Sequence, residues 1–538
     1  MKKLTLSFLS FALLSISLNA QLLKQGQIAI GGSQSDQANS IVQTKDGGYA
    51  IAGYTSSFGP GSQAVYVTRF FKDGTVRWSK AIGGTGLDMA YSLVQSKDGG
   101  FAITGYTNSY AVGIEDVYVI KLDSDGAMKW SESIGGSAAE QGKCIINTRD
   151  GGYAIGGYTG SFGAGGPADM YVIKLTATGA IQWTKTIGGG GDEEAYTIIQ
   201  AKDGGYALVG YTNGSGFGAG NSDVYIVKLD STGALKWTKT FGGAIGDAGY
   251  GICQTSDKGY AVTGYTSNFG AGSNDVYVIK LDSTGATMWT KTIGGTKSEI
   301  GYSIIQTKDG GLAITGFTNS FGAGSNDVYL IKLDAAGNLK WDRAIGGAPS
   351  DYGNWIIQNK DGGYTIAGYT DSYGAGGDDC YIVVTDSLGN TCMNVESSGG
   401  TEGTGGTVKT GGTASSGGTI NFKDSGRVVD ALGTLDTICR VIGQGSGINE
   451  VAAALVEIKL YPNPSSQTIY LDFGDQSNFK NSTFTISIID ITGRILSAST
   501  LENPTSKIPF TISGLHSGIY FMQIVSDNGM EVKKFIKE

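Results

Sequence analysis

The residues best placed to do chemistry in this sequence are carboxylates that recur at a fixed spacing. The pattern acid-x-Ala/Gly occurs at Asp36, Asp88, Glu140, Glu193, Asp247, Glu299 and Asp351. A second set, Asp116, Asp169, Asp223, Asp275, Asp327 and Asp379, has Ala64 at its seventh position. A ring of such groups could attract Ca²⁺ or a cationic ligand, because hard cations take oxygen ligands. Two of them would also suffice for glycoside hydrolysis, but nothing singles out a pair. Regularity favours a third role, accepting backbone N–H bonds within Gly-rich turns. A structural residue recurs in every unit, whereas an asymmetric site breaks the repeat. No cofactor is expected, and Ca²⁺ is the one cation such a ring could hold.

Other catalytic constellations are excluded by counting. The one histidine, His516, lies far outside the repeats, so they hold no Ser-His-Asp triad and no His-ligated metal. Arg69, Arg77, Arg149 and Arg343 are scattered between units, and no arginine cluster of the kind a sialidase needs is present. The net charge is −9, with no compensating Lys/Arg cluster, which argues against nucleic acid as a partner.

These acids must be positioned by a repeat. The turn Asp-Gly-Gly-Tyr and its variants begins at Asp46, Asp98, Asp150, Asp203, Asp257, Asp309 and Asp361. An Ile-Gly-Gly or Phe-Gly-Gly marker has its first glycine at Gly31, Gly83, Gly135, Gly188, Gly242, Gly294 and Gly346. Both markers count seven units of 52 to 54 residues. Each unit reads as four short strands, and helical periodicity is absent from the array. The expectation is an all-β, seven-bladed β-propeller of four-stranded blades over residues 21–390. The 89 glycines serve its turns.

The order within a blade follows from edge protection. The strands bearing Trp78, Trp130, Trp183, Trp237, Trp289 and Trp341 carry lysines, as exposed edges do, and are placed outermost. The Ile-Ile-Gln-Thr strand is then innermost. The last unit stops after its third strand, so the segment from Gln27 to Gly32 should close the seventh blade. Long loops such as Asn319–Asp327 share one face with the acids, which makes it the candidate ligand face. Tyr54, Tyr106, Tyr158, Tyr211, Tyr265, Phe317 and Tyr369 occupy one strand position and read as packing between blades. The segment around Asp123 and Asp125 resembles a calcium loop only faintly, and turn chemistry explains it better.

Residues 1–20 read as a secretory signal peptide, two lysines followed by an apolar run, with cleavage after Ala20. No Cys follows that point, which disfavours a lipoprotein, and no second apolar stretch is long enough to span a bilayer. Cys144, Cys253 and Cys380 read as buried thiols. Cys392 and Cys439 bracket a Gly/Thr/Ser-rich linker at 391–450 and could form a bridge. That linker reads as a flexible or weakly extended spacer.

Residues 451–538 form a small all-β unit. Here Tyr461-Pro462-Asn463-Pro464, then Thr492-Gly493-Arg494, then Gly514-Leu515-His516-Ser517-Gly518-Ile519-Tyr520, then Lys533-Lys534 occur in order. This arrangement resembles the C-terminal (type A) sorting domain of type IX secretion cargo in Bacteroidetes. The resemblance implies a β-sandwich read by the outer-membrane export machinery, and delivery to the cell surface or the medium. The repeat region is similar to β-propeller repeats of uncharacterised bacterial surface proteins, a likeness that brings no activity. Fold and export together suggest a non-catalytic binding or adhesion module for an extracellular glycan or protein. The alternatives are a polysaccharide hydrolase using carboxylates at the channel mouth and a purely structural surface protein.

Overall fold

Each repeat unit folds because its strands differ in what they bury. In the first unit, Asp36–Gln43 alternates between buried and half-buried residues, whereas Tyr49–Thr55 and Ala64–Phe70 are buried throughout. Val76–Gly83 begins exposed and ends buried. Such a gradient belongs to a sheet enclosed at its centre and wetter at its rim. The four strands pair antiparallel in chain order.

The computed structural model describes residues 22–163, 165–214 and 217–392, and the strand segments 401–403, 407–409, 413–415, 419–423, 427–430 and 434–443. Towards the C-terminus it describes 459–472, 483–490, 495–502, 507–526 and 529–538. The expected signal peptide and Gly493 lie outside the described residues. Two compact units meet between Cys439 and Arg440.

The larger unit contains seven propeller-like sheets, numbered here 1–7 in chain order. The innermost strands pack on their neighbours, and that of the first blade packs against the seventh. Asn354 Nδ2 of blade 7 donates to the Ala38 carbonyl of blade 1 at 3.0 Å. Blade 7 takes its fourth strand from the chain start: Leu22–Gly31 pairs with Asp379–Thr385, Gly26 opposite Val384 and Ile30 opposite Cys380. The closing strand thus lies where the repeat phase places it.

Adjacent blades are sealed by aromatics from their outer strands. Trp78 meets Phe101 of the next blade edge-on at 5.8 Å, and Trp130, Trp183, Trp237 and Trp341 meet Tyr153, Tyr206, Tyr260 and Tyr364 at 5.6–6.4 Å. Within blades 2–6 a buried lysine of the third strand reaches the aspartate of the tight turn. The pairs are Lys121–Asp98, Lys174–Asp150, Lys228–Asp203, Lys280–Asp257 and Lys332–Asp309, at 2.8–3.0 Å. Arg69–Asp46 does the same in blade 1 at 2.7 Å.

The segment expected as a spacer is built into the sheets. Thr401–Gly403, Thr407–Lys409, Thr413–Ser415, Thr419–Lys423 and Arg427–Asp430 each add a fifth, antiparallel strand to blades 5, 4, 3, 2 and 1 respectively. Thr434–Gly443 lies beside the closing strand of blade 7. Four of these strands begin at Thr401, Thr407, Thr413 and Thr419, a six-residue period with Gly-Gly pairs between them. Six residues per blade let an extended chain travel round the rim against the order of the blades. Among the described residues only blade 6, ending in Leu339–Ile345, keeps four strands. The outer edges expected to rely on lysine for protection are therefore mostly covered.

Cys392 and Cys439 form a disulfide, with Cα atoms 5.8 Å apart and a sequence separation of 47. The bond turns this belt into a covalent loop that starts and ends at blade 7. Closing a loop of that length restricts the unfolded chain and stabilises by about 4 kcal/mol on the chain-entropy estimate. Replacing both cysteines with serine should therefore lower stability by roughly 2–4 kcal/mol in denaturant titration. It should also speed amide exchange in 401–443 ahead of the inner strands. Unchanged stability and exchange would mean that the belt does not hold the rim.

Candidate functional site

The seven acids of the sequence pattern form one motif. Each is fully buried at the start of an innermost strand and accepts the backbone N–H of the glycine four residues earlier. Gly32, Gly84, Gly136, Gly189, Gly243, Gly295 and Gly347 donate to Asp36, Asp88, Glu140, Glu193, Asp247, Glu299 and Asp351 at 2.6–2.9 Å. Side chains of the same blade add further donors: Ser57 to Asp36, Ser109 and Thr107 to Asp88, Thr159 to Glu140 and Thr212 to Glu193. Asn268 donates to Asp247, Thr318 to Glu299 and Ser372 to Asp351.

The second set caps the long loops. Val112, Ala219, Gly272, Gly324 and Ala375 donate N–H bonds of 2.8–3.1 Å to Asp116, Asp223, Asp275, Asp327 and Asp379. Acids of the two sets face each other across the first glycine of six of the seven markers; at Gly83 only Asp88 is present, with Ala64 in the second position. A Cβ on Gly31 would lie 1.9 Å from Asp379 Oδ1 and 2.8 Å from Asp36 Oδ2, so no larger residue fits there. Each acid of the first set thus accepts at least one donor, while Asp36, Asp247, Asp327, Asp351 and Asp379 each keep a buried Oδ1 without a hydrogen-bond partner among the described residues. Among the described residues, no group of three or more His, Cys, Asp or Glu gathers around a point.

Like charges buried side by side favour a retained proton. Burial first, then the facing Asp351, pushes Asp327 up to about 6. Burial, with Asp36 adding, does the same for Asp379.

Sequence-level reading missed the residues that face the axis. Three positions after each acid, the innermost strand carries one residue more than its partner, a β-bulge, and the extra side chain lines a cavity of about 190 Å³. Blade by blade these residues are Asn39, Tyr91, Lys143, Tyr196, Tyr250, Tyr302 and Asn354. They differ between units where the acids do not, which is the signal an alignment of the repeats would give. Bulges commonly re-aim a side chain in this way.

The cavity wall is uneven. Tyr196, Tyr250 and Tyr302 form a chain of ring contacts at 4.7 and 5.2 Å. Tyr106, Tyr211, Tyr265 and Phe317 stand behind it, 6.0–6.1 Å from the channel tyrosine of their own blade. That series, expected to pack between blades, also buttresses the channel residues at those four positions, and Phe317 meets Tyr352 of the next blade at 5.1 Å. In blade 3, between Tyr91 of blade 2 and Tyr196 of blade 4, Lys143 Nζ lies 4.0 Å from the Tyr91 ring centroid and donates to Gln141 Oε1 at 2.5 Å. Removal from water lowers its pKa to about 8, against the opposing pull of Glu194 and Glu115. Burial in turn raises Glu194.

In the smaller unit, a three-stranded sheet and a four-stranded sheet share a core that includes Ile469, Leu471, Phe484, Ile486, Met522 and Phe535. Asn463 ties the YPNP segment to the last strand, donating to the Lys534 carbonyl at 3.0 Å and accepting from Ile536 N at 2.9 Å. Pro462 and Pro464 follow cis peptide bonds, and Tyr461 donates to Asp472 at 3.1 Å. Tyr520 donates to the His516 carbonyl at 2.9 Å, bracing the turn that contains Gly514 and leads to Gly518. Lys534 is exposed and Lys533 half-buried on the final strand. Residues 459–538 match the family model described as a secretion system C-terminal sorting domain. That match supports type IX secretion cargo with a C-terminal sorting domain. Its sorting domain implies export through that machinery. No helix among the described residues is long and apolar enough to cross a membrane.

Other likenesses are weaker. The regulatory protein FlaEY of Caulobacter vibrioides is 26% identical over 183 residues, 31% of this chain and 19% of that protein. An uncharacterized WD repeat-containing protein of Acanthamoeba polyphaga mimivirus is 20% identical over 374 residues, 49% of this chain and 27% of its own. The matches thus span less than a third of either relative. Among solved structures, Sqt1 from Chaetomium thermophilum aligns with TM-score 0.40 and 13% identity over 64% of this chain and 82% of its own. An endo-1,5-alpha-L-arabinanase from Thermotoga petrophila aligns with TM-score 0.23 and 9% identity over 68% of this chain and 99% of its own.

The paired acids set a pH dependence. The unfolded chain releases the protons of Asp327 and Asp379 near pH 4, whereas the folded state keeps them to about pH 6. Stability should therefore fall as pH rises through that window and level off above it. Burial alone would raise the turn aspartates, but lysine and backbone bonds outweigh it and hold Asp150, Asp257 and Asp309 at about 2, so their contribution is lost only below pH 4. The melting temperature should drop between pH 4.5 and 6.5, and the double substitution Asp327→Asn, Asp379→Asn should flatten much of that drop. An unaltered slope would show that these acids ionise normally.

Proposed function

We propose that the exported chain is a seven-bladed β-propeller acting as a non-catalytic binding or adhesion module, carried by a C-terminal β-sandwich to the cell surface or the medium. The observation that carries this reading is the contrast between the two sets of inward residues. The seven acids are engaged by donors in every blade, as scaffold residues would be. The bulge residues differ between blades and surround a cavity of about 190 Å³ on the axis. A concave site with aromatic walls and few polar groups is the usual form of a small-ligand site. The partner is an extracellular glycan or protein.

A glycan array and a polysaccharide-hydrolysis screen on the full secreted chain test the reading. Binding without turnover is expected. Turnover abolished by a single acid substitution, such as Glu194→Gln, would establish a hydrolase instead, and silence in both screens would favour a purely structural surface protein.

A further inference from the structure

We propose that the axial cavity binds a single carboxylate-bearing sugar ring, a uronate residue, with Lys143 taking the carboxylate and the tyrosines of blades 4–6 packing against the ring. This rests on the binding-module reading and names the ligand class of that same site.

Lys143 departs from every other inward cation of the blades. Lys121, Lys174, Lys228, Lys280 and Lys332 each hold an aspartate at 2.8–3.0 Å. Lys143 has no carboxylate within 4.0 Å among the described residues; one N–H goes to Gln141 Oε1 and the Tyr91 ring lies beside it. Gln141 cannot turn to offer more, because its Nε2 is bonded to Glu115 at 2.5 Å and its Oε1 also receives the Tyr91 hydroxyl at 3.2 Å. An ammonium has three donors, so at least one remains for a ligand. Glu115 and Glu194 act on it through space and favour its charged form. A charged group drawn out of water with no carboxylate in direct contact is costly, and a ligand carboxylate supplies a charge-assisted hydrogen bond.

The rest of the wall selects for a ring. Tyr196, Tyr250 and Tyr302 lie contiguously, and phenol rings offer apolar faces with a polar edge, matching the faces and hydroxyls of a pyranose. At about 190 Å³ the cavity is below the ~300 Å³ at which drug-sized ligand pockets begin, so one ring fits and a chain does not. The occupant would therefore be a terminal or side-branch uronate.

The test is calorimetric titration of the full chain with a glucuronate-terminated disaccharide, its neutral glucose analogue, and 4-hydroxybenzoate as a carboxylate on a non-sugar ring. The glucuronate ligand should bind at least tenfold more tightly than the other two. Lys143→Met should weaken it at least tenfold with the melting temperature unchanged, and Lys143→Arg should restore part of the affinity. Equal binding of the neutral analogue, or full affinity in Lys143→Met, would overturn the proposal. If 4-hydroxybenzoate binds as well as the glucuronate ligand, the site takes aromatic acids and the sugar assignment falls. Should a neutral glycan bind at affinity indifferent to Lys143, the module reading stands while this one fails. If no glycan binds at all, this proposal fails and the module reading is left with a protein partner.

Discussion

The architecture depends on one hydrogen bond repeated seven times: a buried carboxylate at the start of an innermost strand receives the N–H of a glycine four residues earlier. At that point the chain leaves the outer edge of one blade and enters the centre of the next. The crossing must be tight, and its polar backbone is buried. A carboxylate can accept several donors at once, which suits a crossing where N–H groups and hydroxyls converge. The glycine before the donor is required because carboxylates occupy the space of its missing side chain, two of them in six units and Asp88 alone at Gly83.

Unpaired sheet edges are the second constraint. The seventh blade is completed by the chain start, and six outer edges are covered by strands from 401–443. Because the disulfide joins the belt's two ends beside blade 7, tension applied between the propeller and the sorting domain passes through the Cys392–Cys439 bond. The belt strands are thereby spared from being peeled off one blade at a time.

Much of this was legible in the sequence, for physical reasons that differ by element. The repeat count, the strand order and the closing strand could be read because turn glycines and the outer tryptophans recur in phase. The belt could not, since strands of three residues such as Thr407–Lys409 have no apolar alternation and gain meaning only beside Gly242 and its neighbours. Its six-residue period was present but resembles the composition of a spacer. The third-strand lysines were hidden for another reason: Lys121 and Asp98 are 23 residues apart and meet only once two hairpins have formed. Channel residues were obscured by the bulge, because which residue of Asp88–Gln95 turns to the axis depends on its register with Phe101–Thr107.

A regular scaffold therefore surrounds an irregular axis, and the proposed recognition chemistry lies where the blades differ. Hydrogen–deuterium exchange on the full chain, with and without a glucuronate-terminated oligosaccharide, tests this most directly. The account predicts protection in the innermost strands around Lys143, Tyr196 and Tyr250, with the long loops unaffected. Protection confined to the loops, or to none of these segments, would contradict it.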